Sequence, residues 1–177
     1  QDEDEDYVDA ARLKGRIDHS TAGAQLIWFE LSKQGGLGCL VGQVLSLCIA
    51  SHHSGLIDCI APDGEDTFGK RMSKRSDRTF LDEAVAAVDP EVIAHARALL
   101  QSPQLLVGMQ VALAGILQSD STTAKPVISQ QQIGLLARFL FSCLIDADRV
   151  DTADFEKPRA ARNRRHGRYE EWGALAA

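Results

Sequence analysis

Apolar positions recur with a helical period along most of the chain. Over about 20–33, Ala24, Ile27, Trp28 and Leu31 follow i, i+3, i+4, i+7, which predicts an amphipathic helix. Asp18, Ser20 or Thr21 can cap its start, and Gln34-Gly35-Gly36 ends it. A second helix is predicted over about 38–53, with Val41, Val44, Leu45 and Cys48 on one face and Gly55 placed to end it in a left-handed conformation. Residues 61–79 are polar and charged, with Gly64 and Gly69, and read as a mobile loop. Helical patterns resume at about 79–88. Pro90 opens the next helix in its first turn, and Pro103 separates that from a nearly all-apolar helix at about 104–118. A Ser/Thr loop over 119–126 leads into the longest helix, from about Ser129, whose face is Ile133, Leu136, Ala137, Leu140, Cys143, Leu144 and Ala147. No strand pattern and no internal repeat appear, so the expected class is all-α. Residues 1–15 read as an acidic, frayed lead-in. The segment 157–168 carries six Lys and Arg residues and reads as a basic linker, with a helix starting again at Tyr169.

Composition narrows the class. At 177 residues with 45% hydrophobic content, the chain is long enough for one domain with a real core. No run approaches the roughly 20 uncharged apolar residues that span a bilayer, and the acidic opening Gln1-Asp2-Glu3-Asp4-Glu5-Asp6 is the opposite of a secretory signal. The four cysteines, Cys39, Cys48, Cys59 and Cys143, form no Cys-x-x-Cys pair, so they are expected to be reduced and buried in a cytoplasmic protein. A net charge of −6 disfavours bulk electrostatic binding to nucleic acid but leaves room for a local basic groove.

Candidate chemistry sits at the helix ends. His19 stands at the head of the first helix, His52-His53 at the foot of the second, and Asp148 late in the longest. Three imidazoles and a carboxylate form a ligand set suited to Mn, Fe, Co, Ni or Zn rather than Ca. Adjacent histidines on a regular helix point about 100° apart, so they can share a site only where the helix ends. A helix C-terminus also favours a cation. On the long helix Asp148 lies about 60° from Ile133 and Asp146 about 220°. That places Asp148 nearer the buried face, although Asp151 would share the face if the helix continued. Helix capping would leave the same scattered histidines, and spacing alone does not separate the two readings. His95 shares a face with Val92, Ala96 and Leu99 and reads as a partly buried structural residue. Gly64-Glu65-Asp66-Thr67-Phe68-Gly69-Lys70-Arg71 approaches a phosphate-binding P-loop. Arg71 stands where a Ser or Thr should hold Mg²⁺, however, and no strand precedes it, so a surface loop flanking DNA is the better reading.

Three segments in order, Lys14 to Ala24, Ile49-Ala50-Ser51-His52-His53-Ser54-Gly55-Leu56, and Phe141 to Thr152 with Asp146-Ala147-Asp148-Arg149 inside it, resemble the HD nuclease domain of the type I CRISPR helicase-nuclease. The likeness covers about residues 10–157. It implies a helical bundle around a metal site, with 1–157 as the nuclease domain and 158–177 as a linker toward a following helicase domain. It implies cleavage of single-stranded invader DNA, fed by a helicase in cis or in trans after a crRNA-guided surveillance complex has opened the duplex. The resemblance assigns His19, His52 and His53 to one metal and Asp148 to a second. The complete family site holds two divalent ions, of Mn, Fe, Co or Ni, with Mg as a further candidate. It would act by in-line hydrolysis with metal-generated hydroxide.

The chain departs from the family in having no His-Asp dipeptide. In the family that doublet precedes the Lys14–Ala24 region, and there is no initiator Met here, so an N-terminally truncated sequence is expected. Such a chain would hold at most one metal, weakly, and cleave poorly. Two rivals remain: an HD-type phosphohydrolase of nucleotides, and a non-catalytic helical module that only docks partners.

Overall fold

The computed structural model describes residues 18–117 and 126–162. The expectations for the acidic lead-in, the Ser/Thr loop up to residue 125 and the chain from residue 163 onward lie outside the described residues. The fold is all-α. Among the described residues the single β-bridge pairs Ile60 with Asp66. In chain order the helices are α1 (His19–Leu31), α2 (Gly35–Ser51), α3 (Thr67–Met72), α4 (Ser76–Thr79) and α5 (Leu81–Ala87). They are followed by α6 (Pro90–Gln101), α7 (Pro103–Leu117), α8 (Pro126–Glu156) and α9 (Pro158–Ala161). The chain divides into two compact units between Phe141 and Ser142, within α8.

In the first unit α1 is the centre, packed on α2, α3, α4, α5 and α6. A 3-10 turn at Ser32–Gln34 runs into Gly35, whose φ of +82° is a conformation side chains rarely adopt. There the chain reverses. Contacts between Leu31 and Gly42, Ala24 and Ser46, and Gly23 and Ile49 run in opposite directions along the two helices, so α1 and α2 form an antiparallel hairpin. The approach is closest at Gly38, where a Cβ would stand 2.3 Å from the Leu31 carbonyl oxygen. Ser46 Oγ donates to the Ala24 carbonyl at 2.8 Å, satisfying a buried hydroxyl across the pair.

The two sides of α1 bury different clusters. Ala24 packs with Ala50, Phe68 and Met72, with Trp28 and Ile57 beside them. Leu31 packs with Val41, Leu100 and Met109, joined by Ile27, Leu45, Leu136 and Leu140. Burial of each large side chain is worth about 1.5–3 kcal/mol. The stretch His19–Ser51, read through, is long and apolar enough to span a membrane. It divides into two mutually packed helices, in which Ala24, Leu31, Val41, Val44, Cys48 and Ala50 are core positions while Phe29 is exposed.

Three expectations need correction. Residues 61–79 are not a structureless loop: they hold α3 and α4, and Phe68 and Met72 are buried in the core. Asp66 caps α3 by accepting from Gly69 N at 2.7 Å, so the polar residues here are caps and turn formers. His95 is exposed, and Val92 and Leu99 on its face are 59% and 56% exposed, because α6 buries the opposite side through Leu100. Of the cysteines, all free, only Cys48 is buried, and burial pushes its thiol up to about 11; Cys143 is exposed.

The second unit, by itself, has no buried residue among those described. It comprises the end of α8 and the short α9, with Phe155 87% exposed.

Candidate metal centre

The hairpin explains why residues far apart in sequence meet. Leu31 faces Gly42. From there His19 lies back along α1 and His53 forward along α2 by nearly equal lengths, about 18 and 16 Å at 1.5 Å per residue. The head of α1 therefore meets the foot of α2. His19 is the first residue of α1, His52 caps α2, and His53 sits in the turn that follows. The break after Ser51 frees the adjacent rings from the helical 100° separation. Their centroids lie 3.8 Å apart, tilted by 43°.

One ring nitrogen from each of His19, His52 and His53 lies within 4.8 Å of the others, so the three can hold one metal ion. His19 Nε2 and His53 Nε2 are 2.6 Å apart. Two nitrogens on one tetrahedral ion at about 2.05 Å stand about 3.3 Å from each other. The pair therefore needs to open by about 0.7 Å to take an ion, within reach of a side-chain adjustment at exposed positions. His52 Nδ1 lies 2.6 Å from the Ile49 carbonyl. A carbonyl only accepts, so Nδ1 carries the proton and Nε2 of the neutral ring keeps its lone pair for a metal. The C-terminal carbonyls of α2 add partial negative charge on the same side, worth roughly 0.3–1 kcal/mol to a nearby cation.

The segment 71–74 holds both ends of the cluster in place. Gln25, buried on α1, donates through Nε2 to the carbonyls of Arg71 (3.3 Å), Met72 (3.1 Å) and Lys74 (2.7 Å). Lys74 Nζ then pairs with Asp18 Oδ2 at 2.5 Å, beside His19. Arg71 Nη1 donates to the Ala50 carbonyl, two residues before His52. Ser51 Oγ donates to the Leu47 carbonyl at 2.6 Å and accepts from Ile57 N at 3.2 Å, tying the exit from α2 back to its last turn. Asp18 also accepts from Thr21 N at 3.1 Å, the cap expected of it. Burial alone would raise its carboxyl, but the hydrogen bonds from Lys74 and Thr21 and the Lys74 charge outweigh that and hold it well below the usual carboxylate range.

Asp148, the fourth expected ligand, belongs to the second unit. It is exposed there on α8, as are Asp146 and Asp151, so the expected difference between a buried and a solvent face is not seen. Sequence reasoning missed Gln25, Arg71 and Lys74. Their traces were a Gln between Ala24 and Leu26 on the first helix, and two cations in a segment that read as loop, one of them weighed only as a departure from a P-loop. No family model, curated protein or solved structure matches the chain.

Proposed function

We propose that the three-histidine end of the hairpin binds one divalent transition metal and serves metal-dependent hydrolysis of phosphodiesters in single-stranded DNA. The observation that supports this reading is the convergence of His19, His52 and His53 within 4.8 Å at one end of the α1–α2 hairpin. Imidazole donors suit Fe, Co, Ni or Zn better than Mg or Ca, with Mn the most weakly held of the transition ions. Three protein nitrogens leave coordination positions for water and a phosphate oxygen, and a bound metal would supply hydroxide near neutral pH. His52 supplies the lone pair fixed by its carbonyl contact, and Gln25, Arg71 and Lys74 hold the ends of the helices to a single geometry. Single-stranded DNA as substrate, a helicase and a crRNA-guided complex as partners and Asp148 as ligand to a second ion all rest on the likeness to the CRISPR HD nuclease, and a cytoplasmic setting rests on the unpaired spacing of the cysteines. With no His-Asp doublet, one metal is the expected complement of this chain.

Elemental mass spectrometry after exposure to Mn²⁺ and, separately, to Zn²⁺ tests the site. We expect about one ion per chain in the wild type and none in His52→Ala; equal loading of both would sink the assignment. Cleavage is then compared on single-stranded DNA and on mononucleotides. Turnover of nucleotides without DNA cleavage would move the chain to the nucleotide phosphohydrolases.

The docking-module reading has its own support. Val107, Val111, Leu135 and Phe139 are each more than half exposed. It predicts that His19→Ala and His52→Ala leave biological function intact.

A further inference from the structure

A cavity of 560 Å³ opens immediately after His53, lined among others by Ser54, Thr67, Lys70 and Arg71. We infer that this cavity is a phosphate-binding subsite, in which Arg71 grips the phosphate of a nucleotide flanking the one at the histidines. The inference rests on the metal-hydrolase reading for its substrate but not for its chemistry.

Arg71 carries the argument. It is half-buried on α3, and among the described residues no carboxylate pairs with it. Among the described residues its one side-chain hydrogen bond runs from Nη1 to the neutral Ala50 carbonyl. A guanidinium has five N–H donors in a planar fork, so most of its donor capacity remains for an oxyanion. A partly buried guanidinium that is paired with no carboxylate is costly to keep, and an anionic ligand would offset that cost. The carbonyl contact also fixes where the fork sits, because Ala50 lies two residues before His52 and Ser54 follows His53 directly. Histidines and guanidinium are thereby attached to the same end of α2.

The rest of the cavity sets the ligand's class. Lys70 is paired with Glu65, and Asp58 and Glu65 both line the wall. The site therefore holds no large positive field and is poorly suited to a bare, highly charged anion. Leu56, Ile57 and Pro62 add apolar surface. A singly charged phosphodiester, with its sugar against that surface, fits one free guanidinium better than inorganic phosphate does. The bland alternative is that Arg71 only caps the α2 C-terminus.

The test is equilibrium binding of a fluorescent single-stranded oligodeoxythymidylate and of dTMP to the whole chain. It is run in EDTA over a range of salt, so a failure of the metal reading leaves the readout untouched. Arg71→Gln keeps a donor for Ala50 but removes the charge. We expect it to weaken oligonucleotide binding about tenfold and to flatten the salt dependence by about 0.7 in log–log slope. Ser54→Glu, at an exposed position on the rim, is expected to weaken binding similarly without touching the core, and it decides the matter if Arg71→Gln does not fold. Tighter binding of the oligonucleotide than of dTMP supports a strand as ligand. Binding of dTMP as tight as that of the oligonucleotide overturns the phosphodiester as the ligand. Absence of binding by the wild type, or affinity and slope unchanged in both variants, overturns the proposal.

Discussion

Asp18 shows how much one side chain can coordinate. It caps α1 through Thr21 N, accepts from Ser20 Oγ at 3.2 Å and pairs with Lys74 beside the first histidine. Its folded pKa lies below the unfolded value of about 3.9. The carboxylate's contribution to stability is therefore fully present above that unfolded value and is lost as pH falls through and below it. We expect denaturation midpoints measured at pH 7 and pH 3 to fall less in Asp18→Asn than in the wild type. An equal acid loss in both would mean that other carboxylates carry it. The cap was legible in the sequence, as one of three candidates, because capping is local. The ion pair was not, because Lys74 reaches Asp18 only after the chain has folded back across α1. His95 failed for a related reason: helical period shows which residues share a face but not which face is buried.

At the scale of elements, the two helices of the hairpin were the most legible part, while their antiparallel pairing emerges only from the packing. Periodicity gave both helices, but Gly55, although its φ is +80°, does not end the second: α2 stops at Ser51, and Gly35 and Gly36, expected to end the first helix, begin the second. The close packing of the two helices depends on particular small residues. Gly38→Ala would drive a Cβ against the Leu31 carbonyl, where neither backbone can yield cheaply. We expect a net loss of about 2 kcal/mol in chemical denaturation. Gly36→Ala meets nothing within 4 Å and should be neutral or gain up to about 1 kcal/mol from helix propensity. Similar effects of the two would mean that the approach at Gly38 is not what limits packing. The segment 61–79 was the least legible element. Its composition is polar because short helices need caps and turn residues, and that masked the two apolar side chains, Phe68 and Met72, that anchor it.

At the scale of the molecule, the all-α class was legible because the apolar period is helical nearly everywhere. The boundary between the units was not, because it falls inside one continuous helix, where no Pro or Gly marks it. Asp148 follows from the same limit: its angle on α8 could be read, but among the described residues of its own unit none is buried to give that angle a buried side. The three histidines have a mechanical consequence as well as a chemical one. They join the start of one helix to the end of another, and helix termini are where frayed backbone opens first. An ion held there acts as a reversible cross-link that closes the chain from His19 to His53 into a ring, restricting the denatured ensemble as a metal clip does. Metal should therefore slow amide hydrogen exchange in the first turn of α1 and the last turn of α2 together, while leaving the reversal at Gly35 unchanged. Slowing at one end alone would mean that the ring is not closed.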